Sequence, residues 1–304
     1  MGFDHQAECA AQYTDDSIVN TSFAERPLRS LLPESAVIPE TDGGRQFKIR
    51  AADDHGGRSA ASVLLGRMYA TRGYACTPLP RHPLTERLTL IATEDTETIG
   101  TITVGFDSPK RLLVDELFSE ETDALRSAGH RLCEFTKLAM DSVVRSKRVL
   151  ASLFHVAYIY SHRVMGLDSL LIEVNPRHVL YYERMLGFRT IGATRHNPRV
   201  NAPAVLLCLD LALAEQQIER FGGRPDSSAE ERSLYPYFFS ASEEKGIVNR
   251  LKQSRQTSLK ASSVDRRRAP GAGRFTPIRP SWQMQRRASR TTTACPLLSQ
   301  NLSG

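Results

Sequence analysis

One carboxylate in this 304-residue chain lies where it could act in acid–base chemistry. Glu134 lies inside an alternating apolar and polar segment over residues 131–140, RLCEFTKLAM, which predicts a β-strand. A carboxylate on a half-buried strand is suited to take a proton from a substrate. The structural alternative is an ion pair with Arg131, with Lys137 or with a base on an outer helix.

The elements around this strand predict a mixed α/β sheet with parallel strands in the middle and helices on its flanks. The segment from residue 131 to 174 contains a strand, an apolar helix and the apolar run SLLIEV. Such a unit is long enough for a right-handed parallel crossover. Asn175 and Pro176 follow at once, and Asn at the cap with Pro at the first position indicates a new helix. Further strands are predicted at 46–51, 87–93, 98–106, 188–192 and 204–211, and a first helix at 56–74.

The net charge of the chain is +6, from 40 Lys and Arg against 34 Asp and Glu. The last stretch from Lys252 has eleven basic residues and one acid, 11 − 1 = +10, so residues 1–251 sum to 6 − 10 = −4. The basicity therefore belongs to the tail, and a nucleic-acid partner is not expected for the body. We divide the chain into a poorly ordered leader (1–44), a catalytic domain (45–211), a helical appendage (212–251) and a basic disordered tail (252–304).

The five cysteines are scattered, with no His or Cys cluster at metal-ligand spacing, so we expect thiols in a reducing cytosol and no metal site. The N-terminus lacks the basic and apolar regions of a signal peptide, and no window approaches 18 apolar residues. These observations predict a cytoplasmic protein without a membrane span.

Several motifs carry a resemblance to a known family. Asn175 is followed seven residues later by Tyr182 and then by Gly187-Phe188, a pattern similar to that of the GCN5-related N-acyltransferase superfamily. Together with these motifs, three further stretches resemble the long-chain N-acyl amino acid synthases of the FeeM type, which are related to the acyl-homoserine-lactone autoinducer synthases. These stretches are residues 131–139, 168–178 and 198–207, and residues 67–74 are similar to the family's first helix.

The resemblance implies an N-acyltransferase that moves a long-chain acyl group from an acyl-carrier-protein thioester to the amine of an amino acid. It implies that Glu134 is the general base and that Asn175 contacts the pantetheine arm. Tyr182 would protonate the leaving thiolate, although a core-packing role on the helix's apolar stripe fits it as well. A backbone N–H around Leu138 would hold the oxyanion. Lys137 would lie near the substrate or on the surface, and it should face away from Glu134 if the strand is regular.

The first helix and its loop, over residues 67–74, are expected to cover the acyl group and the amino acid. Arg67 or Arg72 could bind the acceptor's carboxylate, although an exposed helix arginine is an equally simple reading. Tyr69 lies between them and is expected to line the same site.

Acyl carrier proteins are acidic, so basic residues near the pantetheine channel could dock the donor. Arg145, Lys147 and Arg148 form such a cluster, with a solvated turn as the alternative.

The superfamily's usual pyrophosphate loop contains glycine, whereas residues 140–148 contain none. This difference favours a carrier-protein donor over coenzyme A, because backbone amides wrap a diphosphate closely at glycines. We expect no bound cofactor, with the phosphopantetheine thioester of the carrier protein, or acyl-CoA, as co-substrate. The alternatives are a coenzyme-A-dependent N-acetyltransferase and a non-catalytic protein that binds acyl groups or nucleic acid.

Overall fold

The computed structural model describes residues 19–23, 45–142 and 146–252. Its centre is an eight-stranded sheet in the order β1-β2-β3-β4-β5-β6-β8-β7. The strands are β1 (Val19–Phe23), β2 (Arg45–Ala51), β3 (Arg87–Glu94), β4 (Glu97–Phe106), β5 (Leu132–Met140), β6 (Ser169–Val174), β7 (Arg189–Asn197) and β8 (Ala202–Asp210). β1 lies within the expected leader, whose other residues are outside the described part of the chain.

In the described residues, four helices lie between strands and two follow β8. They are α1 (His55–Ala70), α2 (Asp115–Ser127), α3 (Lys147–Tyr158), α4 (Val179–Leu186), α5 (Leu211–Phe221) and α6 (residues 241–252). A π-helical turn, Ile159–Val164, continues α3. The side chain of Asn175 accepts a hydrogen bond from the backbone N–H of Arg177, so the predicted cap is confirmed. Gly187 ends α4 in the left-handed conformation, at φ 80°, which a residue without a Cβ adopts readily.

The mixed α/β sheet is mostly antiparallel. β5 and β6 run parallel, as the crossover predicted, and they form the one parallel pair in the described part of the chain. The expectation of parallel strands in the middle is therefore met by a single central pair.

Each face of the sheet buries its own set of apolar side chains. One face packs against α3, α5 and the chain that follows α5, with Phe135, Leu170 and Ile172 in its core. The opposite face lies under α1 and α2, where Leu132 and Leu171 are buried. Alternate residues of β5 and β6 therefore point toward two different layers of helices.

β5 is not regular, because it carries one extra residue. Thr136 lies opposite Thr103 on β4, but Ala139 lies opposite Thr101, so three steps on β5 match two on β4. Lys137, at φ 52°, takes up the extra residue as a β-bulge. The expectation that Lys137 faces away from Glu134 is wrong for this reason. Its side chain reaches the loop after α1, on the same face as Glu134.

β5 and β6 are hydrogen-bonded only over their first residues. The pairing runs from Leu132 opposite Ser169 to Glu134 opposite Leu171. Beyond this point β5 stays paired with β4, and β6 stays paired with β8. The two strands thus separate toward their carboxyl ends, and an opening forms in the middle of the sheet.

The segment predicted as a helical appendage packs into the main core. Leu234 donates its backbone N–H to the carbonyl of Met185 at 2.9 Å, and the Tyr235 hydroxyl donates to the carbonyl of Leu186 at 2.7 Å. Both contacts hold the end of α4. The basic tail from residue 253 lies outside the described residues.

Candidate active site

Glu134 is completely buried, at 0% exposure, on the α2 side of the sheet. Its Oε2 accepts a hydrogen bond from the backbone N–H of Val114 at 3.0 Å. Its Oε1 lies 2.9 Å from Nη2 of Arg87, as an ion-pair contact rather than a well-directed hydrogen bond. Both carboxylate oxygens therefore face groups that hold them in place, and the partner is an arginine of β3 rather than Arg131 or Lys137.

A second buried carboxylate, Glu173, lies on the same face and was not singled out from the sequence. It is the fifth residue of β6, two positions beyond the last pairing with β5. Its Oε2 contacts a guanidinium nitrogen of Arg199 and accepts from the Asn197 amide at 3.3 Å. Its Oε1 is buried and accepts no hydrogen bond from any described residue. Burial raises the pKa of Glu173 to about 7, although Arg199 acts in the opposite direction.

The signal that could have found Glu173 is a charged residue inside an otherwise apolar strand. Five of the six residues of SLLIEV are buried, and the side chain of its single acid is only 10% exposed. A buried acid without a full set of partners is uncommon and points to a functional site.

Lys137 reaches the covering loop from the bulge. Its Nζ donates to the carbonyl of Thr77 at 2.6 Å. Burial lowers the pKa of Lys137, and the positive charges of Arg87 and Arg199 act in the same direction. Leu138, the next residue, packs toward the α3 side of the sheet. The bulge thus lies at the opening between β5 and β6, where the oxyanion donor was expected.

The two candidate arginines of α1 have different surroundings. Arg67 forms an ion pair with Asp141 at 2.5 Å, just after β5 ends. Arg72 is exposed, and its guanidinium donates to the carbonyl of Met68 at 3.4 Å. Tyr69 packs edge-on against Tyr74, and burial raises its pKa to about 12.

Tyr182 lies between α4 and the core. Its ring packs edge-on against Phe154 and Phe188, with ring centroids 6.4 and 5.9 Å apart. Burial raises its pKa, and the charges of Tyr69 and Arg72 also act on it. The end of α1 and Tyr182 therefore come together. Asn175 also lies on this side of the fold, with its side chain oxygen occupied as the cap of the turn before α4.

The expected docking cluster is partly covered. Lys147 lies over the ring of Tyr237, with Nζ 5.8 Å from the ring centroid. Arg148 is half-buried at the start of α3. Arg145, the third member, lies outside the described residues.

An apolar cavity lies under β5 and β6, on the face opposite the two carboxylates. Its volume is about 20 Å³, which is room for about one water molecule. Its lining comes from both strands, from α3 to α5 and from the chain after α5: Phe135, Phe154, Tyr158, Leu170, Leu186, Phe188, Leu209, Leu211, Ala214, Tyr235 and Phe238. The lining is wholly apolar, but its side chains would have to move apart to admit a hydrocarbon chain.

The site thus combines an apolar cavity on one face with buried ionisable groups on the other, and the opening between β5 and β6 joins the two faces. Residues 19–23, 45–142 and 146–252 contain no group of three His, Cys, Asp or Glu able to hold a metal ion. Over the same ranges, no helix has the length and apolarity needed to cross a membrane. The chemistry that these residues support is proton transfer beside an apolar substrate.

Comparison with known proteins agrees with this arrangement. The family model of the N-acyl amino acid synthase FeeM matches residues 60–210. The structure of FeeM, an N-acyl amino acid synthase from uncultured soil microbes, is 29% identical with a TM-score of 0.52, and the match covers 57% of this chain and 94% of that one.

Two N-acetyltransferase structures are more distant. One from Staphylococcus aureus Mu50 is 13% identical with a TM-score of 0.40, and the match covers 55% of this chain and 98% of that one. A GNAT-family acetyltransferase from Streptococcus pneumoniae is 13% identical with a TM-score of 0.40, over 54% of this chain and 99% of that one. No curated protein sequence matches the chain.

The predicted fold and the predicted kind of enzyme are therefore confirmed. Residues 60–210 match the model of the N-acyl amino acid synthase FeeM family, and the protein is an N-acyltransferase.

Proposed function

We propose that this N-acyltransferase moves a long-chain acyl group from an acyl-carrier-protein thioester to the amine of an amino acid. The observation that carries the proposal is the opening between β5 and β6, which has an apolar cavity on one side and two buried carboxylates on the other. The acyl chain would enter beside Phe135 and Leu170 by pushing apart the apolar side chains that line this narrow cavity. The thioester carbonyl would then lie at the bulge, within reach of an amine on the α2 side.

Formation of the amide needs a neutral amine, a stabilised oxyanion and a proton for the leaving thiolate. Backbone N–H groups around Leu138, next to the bulge, can face the oxyanion because the extra residue breaks the regular ladder with β4. Glu134 and Glu173 are the carboxylates that can accept the ammonium proton. Asn175, on the proposed pantetheine path, would hold the arm of the donor, and Tyr182 lies where it could protonate the thiolate.

Arg72 is the better candidate for the acceptor's carboxylate, because Arg67 already pairs with Asp141. A guanidinium binds a carboxylate with two parallel hydrogen bonds, which would orient the amine. Arg72→Ala should raise the KM for tyrosine more than the KM for tyramine, which lacks the carboxylate. Arg67→Ala is the matched control, and equal effects of Arg72→Ala on both acceptors would remove this role.

The carrier protein as donor is supported by the glycine-free segment before α3 and by the bases around it. Lys147→Glu reverses one of these charges near the start of α3. We expect a higher KM for the carrier-bound donor and an unchanged KM for a small acyl thioester, because only the protein donor has an acidic surface to repel. Equal changes for both donors would place Lys147 in packing against Tyr237 alone.

The proposed function is tested by expressing the protein in a bacterial host and analysing extracted lipids by mass spectrometry. We expect new masses equal to a fatty acid plus an amino acid minus water, absent from a host with the empty vector. Absence of these masses, together with acetylation of amines from acetyl-CoA by the purified protein, would instead establish a coenzyme-A-dependent N-acetyltransferase.

A further inference from the structure

We propose that Glu173, rather than Glu134, takes the proton that the acceptor's ammonium group must lose before it attacks the thioester. This inference rests on the acyl transfer proposed above and names the catalytic base within that site. Glu173 lies in the stretch 168–178 that carries the family resemblance, but the resemblance gave it no role.

Glu134 and Glu173 lie at different levels of the opening between β5 and β6. β5 and β6 remain hydrogen-bonded at Glu134 and Leu171, so Glu134 lies where the sheet is closed. Glu173 lies two residues further along β6, where the strands have separated. An amine approaching the bulge at Lys137 from the α2 side therefore comes to the level of Glu173 rather than Glu134.

The carboxylate oxygens of Glu134 and Glu173 have different partners. In Glu134, an N–H of Val114 faces one oxygen and the guanidinium of Arg87 faces the other. In Glu173, Arg199 and Asn197 face Oε2, while Oε1 is buried without a hydrogen bond from any described residue. A buried oxygen in this condition is costly, and an ammonium N–H would supply the missing partner.

The side chain of Glu173 is held in a fixed orientation by Arg199. Arg199 also donates to the carbonyl of Leu113 and to Glu116, both at 2.6 Å, and so ties the β7–β8 turn to the start of α2. Oε2 of Glu173 binds to this anchored guanidinium. The remaining oxygen is held in one direction before the substrate arrives, as a proton acceptor should be.

The charges around Glu173 favour a base that works near neutral pH. Arg199 faces it from the β7–β8 turn, Glu116 from α2 and Glu134 from β5. The two acids and burial favour the neutral form, whereas Arg199 favours the carboxylate, and the resulting pKa is about 7. Glu173 can therefore accept a proton in one step and release it in the next.

The proposed acyl transfer moves two protons from the ammonium nitrogen. Oε1 of Glu173 takes one proton from the ammonium, and the neutral amine forms the C–N bond at the thioester carbonyl carbon. The tetrahedral intermediate then collapses, the C–S bond breaks, and the thiolate leaves. A second proton from nitrogen goes to the thiolate to give the thiol, and the protonated Glu173 returns its own proton to solvent.

The experiment compares Glu173→Gln with Glu116→Gln, since Glu116 binds the same arginine from the exposed side. Both are assayed with acyl carrier protein and amino acid, measuring kcat and KM from pH 6 to pH 9. We expect Glu173→Gln to lower kcat by about 10²- to 10⁴-fold with little change in KM. The wild-type rate should level off above the pKa of Glu173. In Glu173→Gln this levelling should vanish, and the rate should rise about tenfold per pH unit as the free amine accumulates. Glu116→Gln should keep a profile that levels off, moved only to lower pH, because the charge of Glu116 raises the pKa of Glu173.

A Glu173→Gln enzyme within about threefold of the wild-type kcat, or one whose rate still levels off near neutral pH, would overturn the proposal. The proposal would also be overturned if Glu134→Gln, and not Glu173→Gln, removed this levelling of the rate. If Glu173→Gln does not fold, Glu173→Asp is measured instead. A lowered kcat in a profile that still levels off supports a carboxylate base at this position, and an unchanged kcat overturns the proposal. Wild-type protein that forms no acyl amino acid would contradict the proposed function itself.

Discussion

The two ends of the β5–β6 pair show how position changes the chemistry of the same residue type. At the closed end, Glu134 is packed between Arg87 and the start of α2, and its carboxylate joins two elements of the fold. At the open end, Glu173 is held through one oxygen only, and burial raises its pKa to about 7. The amino-acid type is identical and both side chains lie on the same face, so the difference comes from neighbours and strand pairing.

This contrast assigns stability to the closed end and reactivity to the open end. A carboxylate surrounded by donors contributes to folding, and its removal leaves those donors without a partner. A buried carboxylate oxygen that accepts no hydrogen bond destabilises the fold, and this cost in free energy is tolerated where function requires it.

The largest expected effect is at the closed end. Glu134→Ala leaves the buried N–H of Val114 without an acceptor and Arg87 without its anion. We expect the free energy of unfolding to fall by about 3–5 kcal/mol, measured by urea denaturation. Asp168→Ala removes the exposed ion pair with Arg131 and should cost about 1 kcal/mol or less. Similar losses in the two variants would mean that Glu134 is not a structural anchor.

At the open end, the stability should depend on pH through Glu173. Its folded-state pKa of about 7 lies above the ordinary value of 4.5, so the folded protein binds this proton more tightly than the unfolded chain. The contribution of Glu173 is therefore most favourable below about pH 4.5 and is lost as pH rises toward about 7. Its total size is about 3 kcal/mol.

This dependence is measured as the difference in unfolding free energy between the wild type and Glu173→Gln at several pH values. The wild type should lose stability relative to the variant as the pH rises, and the difference should be constant above about pH 8. A difference that does not change with pH would contradict a raised pKa at Glu173.

The closed end can also be disturbed from β4. A Cβ on Gly105 would lie 2.7 Å from Oε1 of Glu134, so Gly105→Ala should force the carboxylate to move. We expect a loss of about 1–3 kcal/mol by thermal or urea unfolding. Gly66→Ala, in the middle of α1 with nothing within 4 Å of the new Cβ, is the control and should gain about 0.5–1 kcal/mol. Equal responses would show that the space around Glu134 is not tightly filled.

The smallest effect is expected at Tyr182, which lies outside both carboxylate regions. Tyr182→Phe keeps the ring contacts with Phe154 and Phe188, so unfolding free energy should change by less than about 1 kcal/mol. We expect kcat to fall less than about tenfold, because the thiolate of the donor is a good leaving group and the hydroxyl is not its only proton source. A larger loss of kcat would assign the general acid to Tyr182 and extend the reactive region to α4.

Local patterns predicted much of this fold because local interactions determine it. The cap at Asn175, the left-handed end at Gly187 and the crossover from β5 to β6 all depend on residues near one another in sequence. Alternation also indicated which strand carries Glu134.

The site could not be predicted to the same degree, because its decisive contacts are distant in sequence. Arg87 and Val114 reach Glu134 from β3 and α2. The bulge at Lys137 depends on register with β4, so the expected alternation failed there. The role proposed for Glu173 could not be predicted from its apolar strand, because the separation of β5 from β6 is a property of the sheet rather than of either strand.

The proposed acyl transfer is tested most directly by incubating the purified protein with a long-chain acyl thioester of acyl carrier protein and a mixture of amino acids. Products and free carrier thiol are measured together by mass spectrometry. We expect one or more N-acyl amino acids, formed in the same molar amount as free carrier thiol. Release of free fatty acid without an acyl amino acid, or no consumption of the thioester while acetyl-CoA is consumed, would contradict the proposal.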